Sequence, residues 1–139
     1  MPVIVEPRYD IADLEPDLAR VYADFPGRDA AACVADIRSA LAADGVFYAG
    51  VFNGRTVAGV LVSGPADSRR LQLVAVRAAT RGRGVALRLV DEVARLEAAT
   101  GGRRLLVTGG PETGAVLTRL GFAPVPGGYE RRLPAAAPA

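Results

Sequence analysis

Arg81-Gly82-Arg83-Gly84-Val85-Ala86 decides the reading of this chain, because an apolar run, Leu71 to Val76, leads into it and an amphipathic segment, Val85 to Leu96, leads out. Strand, glycine-spaced arginine loop and helix in that order make a cradle for an anion. Glycines let the backbone come close to a ligand, and the first N–H groups of a helix lack intrahelical acceptors, so they are free to donate to phosphate oxygens. The positive end of the helix dipole reinforces this, as do the guanidinium groups of Arg81 and Arg83. A ligand carrying a pyrophosphate is the expectation. Other glycine loops fit less well. A dinucleotide-binding fingerprint needs a third glycine where Leu87 stands, and a Walker A loop needs a lysine, of which the chain has none. A merely flexible helix entry would not call for two glycines, each of which loses entropy on folding.

Composition narrows the chemistry around that loop. The 139 residues, 50% hydrophobic and 23% charged, suit one globular domain, expected over residues 1–133 with a flexible tail at 134–139. No apolar run approaches the roughly 20 residues that span a bilayer. Glu6 and Asp10 follow closely on a short apolar start that does not read as a signal peptide, so a cytoplasmic protein is expected. There is no His, Lys or Trp, and Cys33 is the only cysteine. That excludes an internal disulfide, Schiff-base chemistry on lysine, His-dependent triads and His/Cys zinc sites, and no metal is expected. The net charge of +2 comes from dispersed arginines without interleaved aromatic residues, which argues against a nucleic-acid groove.

Along the chain, Val3 to Glu6 reads as a strand. Leu14, Leu18, Val21, Tyr22 and Phe25 recur at helical spacing, with Asp13 as expected N-cap, Pro16 in the first turn and Pro26-Gly27 as the stop. Asp29 should cap a second helix whose inner face carries Cys33, Val34, Ile37 and Leu41; Cys33 is read as a core residue. Val46 to Phe52 and Thr56 to Val62 flank Asn53-Gly54, a pair suited to a type I′ hairpin. Gly64 to Asp67 turns the chain into a third strand, Arg70 to Val76. In the helix after the glycine loop, Val85, Leu89, Val93 and Leu96 share one face, and Asp91 and Arg95 sit four apart on the other. Thr100-Gly101-Gly102 ends it. A short strand, Leu105 to Thr108, precedes a helix from about Glu112 to Leu120 with Gly121 as its stop, and Phe122 to Val125 and Tyr129 to Leu133 form a closing hairpin. The order β-α-α-β-β-β-α-β-α-β-β is mixed α/β.

Val74-Ala75-Val76 followed by Arg81-Gly82-Arg83-Gly84-Val85-Ala86 and Leu89 resembles the acyl-CoA-binding motif of the GNAT N-acetyltransferase superfamily, and Leu120-Gly121-Phe122 resembles its C-terminal signature. The resemblance extends over the whole length in element order. It implies a mixed, mostly antiparallel central sheet with flanking helices and a splayed parallel strand pair, with acetyl-CoA lying in the gap. Val74, Ala75 and Val76 would then offer backbone groups to the pantetheine arm, and Thr80, Arg81, Gly82, Arg83, Gly84, Val85 and Ala86 would hold the pyrophosphate. An acetyl group would pass to an amine acceptor, a small molecule or a protein.

The superfamily often places a Tyr acid in the helix before Leu120-Gly121-Phe122; the corresponding residue here is Leu117, and the Asn often found earlier corresponds to about Gly110. No catalytic residue is therefore assigned. Tyr48, Tyr129, Glu112 and Glu130 are the remaining candidates for acid or base, each with a structural role as the alternative. Arg69, Arg70, Arg103 and Arg104 are open between contacts to the nucleotide end of CoA and surface solvation.

One short GNAT subfamily is similar at more positions. Asp17-Leu18 with Tyr22, Tyr48-Ala49, Phe52-Asn53, Val76-Arg77, Thr80-Arg81 and Gly127-Gly128 with Glu130 look like the acetyl-CoA-binding maturation factor of bacterial aspartate 1-decarboxylase. Val51 stands where that subfamily has Arg, and Tyr129 where it has Trp. This resemblance implies a sensor, in which acetyl-CoA occupancy controls docking on aspartate 1-decarboxylase in pantothenate synthesis.

Overall fold

The structure, a computed structural model, describes residues 2–108 and 114–134. Its sheet comprises β1 (Ile4–Arg8), β2 (Val46–Phe52), β3 (Arg55–Ser63), β4 (Ser68–Val76), β5 (Arg104–Thr108), β6 (Ala123–Val125) and β7 (Gly128–Arg132), in the order β1-β2-β3-β4-β5-β7-β6. Only the β4–β5 pair is parallel; the other neighbours run antiparallel. The helices are α1 (Glu15–Val21), α2 (Ala30–Leu41), α3 (Val85–Ala99) and α4 (Gly114–Arg119). The expected element order holds. The start of the last helix near Glu112 and the tail beyond Pro134 lie outside the described residues.

Local chemistry accounts for most boundaries. Asp29 accepts from the Ala32 N–H at 2.7 Å and caps α2 as expected. Asn53 and Gly54 take φ of 51° and 74°, the left-handed pair that lets a two-residue turn follow the strand twist. The start of α1 departs from expectation. Asp13 pairs with Arg8 instead of capping, a 3-10 turn occupies Ala12–Leu14, and Asp10 accepts from the Ala12 N–H at 2.9 Å. The helix also stops at Val21, short of Phe25. Asp17 ties it to the β2–β3 hairpin by accepting from the Thr56 N–H at 3.0 Å and Arg55 Nε at 3.1 Å.

Two apolar layers sandwich the sheet. Leu89, Val90 and Val93 of α3 and Leu117 of α4 pack with Val60, Val62, Leu71 and Leu105 on one face. Leu18, Val21 and Tyr22 pack with Cys33 and Ile37 of α2 and with Phe47, Ala49 and Leu61 on the other. Cys33 is fully buried, as expected of a core thiol, and burial pushes its pKa up. On α3 the expected Asp91–Arg95 pair does not form. Asp91 reaches Arg131 on β7 at 2.7 Å, and Arg95 pairs with Glu92 one turn away. Glu97, also on α3, is only 5% exposed, because it accepts from Arg69 Nε at 2.9 Å and from the Tyr48 hydroxyl. A buried carboxylate persists only when its charge and lone pairs are met in this way.

The feature that positions the site lies in β4. Against β3, Gln72 pairs with Leu61 but Ala75 pairs with Gly59, so β4 carries one extra residue. Leu73 sits in that bulge with φ of 55°, a left-handed conformation that costs an L-residue roughly 1–2 kcal/mol. The side-chain phase inverts across it: Leu71 faces the α3 layer before the bulge, whereas Val74 and Val76 face it afterwards and Leu73 and Ala75 face α1 and α2. The Leu73 carbonyl accepts from the buried Tyr22 hydroxyl at 2.7 Å. Burial pushes the Tyr22 pKa far up, so the phenol stays protonated and keeps donating. Tyr22→Phe should therefore destabilise the fold by about 1–3 kcal/mol, the cost of a buried acceptor left unpaired. A urea midpoint equal to that of the parent protein would show that the bulge stands without its strut.

Candidate functional site

β4 and β5 pair only from Ser68↔Arg104 to Arg70↔Leu106. Beyond Leu106, β5 continues with β7, while β4 turns away through its bulge. The parting strands leave a gap in the sheet, and a cavity of about 940 Å³ occupies it. That is at the upper end of the roughly 300–1,000 Å³ typical of ligand pockets. Val74, Ala75 and Val76 form one wall and Val107 and Thr108 the opposite one. Val116, Leu117 and Leu120 close one side, and Val21, Asp24, Phe25 and Pro26 the other. A bulged strand has main-chain groups that the ladder does not use, and these are available to an amide-bearing ligand in the gap.

The far end of the cavity is the start of α3. Arg81, Gly82, Gly84, Val85, Ala86 and Leu87 line it. Gly84 is the N-cap with φ of 74° and no side-chain cap, so the first-turn N–H groups have no acceptor among the described residues. Gly82 also has positive φ, 78°, and a Cβ built on either glycine would meet nothing within 4 Å. The glycines are thus required by backbone conformation rather than by crowding, and the space beside them is open.

Arg81 is held in place from two directions. Its Nε donates to the Val76 carbonyl at 2.9 Å, and its terminal nitrogens grip Asp24 at 2.7 and 2.5 Å. Side-chain hydrogen bonding to Asp24 raises the Arg81 pKa, and the same bond holds the Asp24 carboxyl below its usual range. The pair joins the loop after α1 to the glycine loop across the cavity mouth.

Of the residues singled out from sequence, Val74, Ala75, Val76, Thr80, Arg81, Gly82, Gly84, Val85 and Ala86 all line this one cavity. Arg83 is exposed on the same loop and does not line it. Leu117, the residue at the expected acid position, does line it and presents an aliphatic side chain. The other acid–base candidates point elsewhere. Tyr48 donates to buried Glu97; burial and that bond push its pKa up. Tyr129 packs in the α3 layer with its hydroxyl against Gly114. Glu130 bridges Arg104 and Arg132 on β5 and β7. Glu112 and Gly110 lie outside the described residues. None of Arg69, Arg70, Arg103 and Arg104 reaches the cavity, and Arg69 is committed to Glu97.

Residues 9–107, well over half of the chain, match the family described as acetyltransferase (GNAT) domain, PanZ. The chain belongs to the PanZ family of GNAT domains. Among curated proteins, none matches it in sequence. Several solved GNAT structures share its fold. YhhK from E. coli bound to coenzyme A is 24% identical, with TM-score 0.68 over 95% of this chain and 99% of its own. YhbS from Escherichia coli, a GNAT family N-acetyltransferase in complex with CoA, is 19% identical, with TM-score 0.73 over 95% and 82%. An aminoglycoside 6'-N-acetyltransferase complexed with coenzyme A is 12% identical, with TM-score 0.76 over 99% and 100%.

Asp24, Phe25, Pro26, Val107 and Thr108 are cavity residues that the sequence reading did not assign. Phe25 carried only helical spacing, and Pro26 only a helix-stop signal shared with Gly27. Asp24 lies 57 residues from its partner Arg81, and no local pattern announces that contact.

Proposed function

We propose that this domain binds acetyl-CoA between β4 and β5 and passes its acetyl group to an amine. The carrying observation is that one cavity joins the uncapped N-terminus of α3 to the bulged edge of β4. The diphosphate would accept from the N–H groups of residues 84–87 and from Arg81, and the pantetheine arm would lie along Val74–Val76. That complexes of YhbS and of an aminoglycoside acetyltransferase with coenzyme A share this fold supports the reading.

Transfer would rest on positioning. In the reaction the amine nitrogen attacks the thioester carbonyl carbon, a C–N bond forms, the C–S bond breaks and sulfur leaves with the bonding pair, while the proton lost from nitrogen passes to water, which returns one to the thiolate. Among the described residues, Asp24 is the one carboxylate at the cavity, and it is held ionised by Arg81. Neither it nor Leu117 supplies a proton to the leaving thiolate. An amine that arrives neutral needs orientation rather than a base, and orientation alone gives large accelerations.

A second reading is favoured by that missing donor together with the PanZ match. In it the bound acetyl-CoA is sensed, and the loaded protein docks on the aspartate 1-decarboxylase precursor. Thiol release from acetyl-CoA in the presence of an amine panel separates the two. The enzyme reading expects release whose rate rises about tenfold per pH unit below the amine's own pKa, since no protein base intervenes. Tight binding without release contradicts it, and acetyl-CoA-dependent co-elution with the precursor would then establish the sensor.

Two binding predictions apply to either reading. Arg81→Ala with Arg83→Ala should weaken CoA at least about tenfold, by removing charge-assisted hydrogen bonds to phosphate. Asp24→Asn should instead tighten it about two- to fivefold, because Arg81 is then free of its competing carboxylate. Isothermal titration reads both. Unchanged affinity in the first variant, or weaker binding in the second, contradicts the assignment of Arg81.

A further inference from the structure

A second cavity, about 230 Å³, shares Val74, Val107 and Thr108 with the larger one, so the two adjoin along those residues. Its remaining polar walls are Arg70 and Gln72. Gln72 is the cross-strand partner of Leu61, which belongs to the α1/α2 layer, and Arg70 lies two residues before it on the same side of β4. Thr108 shares that side, since its neighbour Val107 packs in the α3 layer. The polar side chains of the second cavity thus stand on the face opposite α3, while Leu71, Val74 and Val107 line it from the α3 layer.

Its electrostatics are one-sided. A guanidinium, a carboxamide and a hydroxyl line it, and no carboxylate does among the described residues. Arg70 is exposed and makes no ion pair with a described residue. Further along the same face, Arg104 and Arg132 already share Glu130. An uncompensated arginine at the wall repels a cationic group and pairs best with a planar anion.

We propose that this second cavity is the port of the acceptor and that it selects an amine bearing a carboxylate, with Arg70 as the carboxylate's partner and Gln72 and Thr108 as neutral hydrogen-bonding groups. This rests on the acetyltransferase reading and sets its substrate class: anionic or zwitterionic amines enter, and polycationic amines do not.

γ-Aminobutyrate and 1,4-diaminobutane have the same chain length and differ in carrying a carboxylate or a second ammonium group. Each is titrated into the protein, with and without saturating CoA, while the backbone amides of Gln72 and Thr108 are followed by NMR. The expected result is a saturable shift with γ-aminobutyrate and none with 1,4-diaminobutane. Arg70→Ala should cut γ-aminobutyrate affinity about tenfold or more, Arg70→Lys should restore part of it, and CoA affinity should not change in either variant. Equal or tighter binding of 1,4-diaminobutane, no shift with γ-aminobutyrate, or an unaltered Arg70→Ala variant overturns the proposal. Failure of the parent protein to bind CoA at all would instead overturn the functional reading, and the CoA-free titration still decides the port.

Discussion

Leu73 takes a left-handed backbone conformation in the middle of β4, and the Tyr22 hydroxyl donates to its carbonyl from the α1/α2 layer. Much of the site's geometry follows from that one bulge. It inverts the side-chain phase of β4, so Val74 and Val76 join the α3 layer while Leu73 and Ala75 join the α1/α2 layer. It also bends β4 away from β5 where the parallel ladder ends at Arg70↔Leu106. A straight β4 would close the sheet and bury its amides in a ladder. Strained residues of this kind persist where the surroundings over-determine them, and here the determinant is a phenol that stays protonated under burial.

The second half of the site is supplied by the crossover from β4 to β5. The connection must pass through α3, and the glycines at 82 and 84 give the left-handed turns that start it without a side-chain cap. The bulged strand and the uncapped helix therefore face one cavity as a consequence of chain order. The Arg81–Asp24 pair ties its mouth to the loop after α1. Both side chains are about half exposed, so the pair is screened and exchangeable.

The parts of this arrangement governed by local chemistry were legible in the sequence. The glycine loop, the Asn53-Gly54 hairpin, the Asp29 cap and the position of the crossover depend on residues within a few places of one another. The bulge was not legible, because leucine carries no preference for positive φ and its strut, Tyr22, lies 51 residues away. The same limit hid Asp24, and it hid Glu97, whose charge on the buried face of α3 makes sense only once Arg69 and Tyr48 surround it. Asp13 failed as a cap because Arg8 competed for it across the turn, and Asp91 turned to Arg131 on a strand rather than to Arg95 on its own helix. For Asp91 a tertiary partner displaced a local one.

The most direct measurement is a crystal structure of the protein grown with coenzyme A. The account requires diphosphate oxygens within hydrogen-bond distance of the main-chain N–H groups at the start of α3, the thiol end lying beside Val74 in the parting of the strands. Coenzyme bound on another face, or a gap closed by a regular β4 with Leu73 at negative φ, would contradict it.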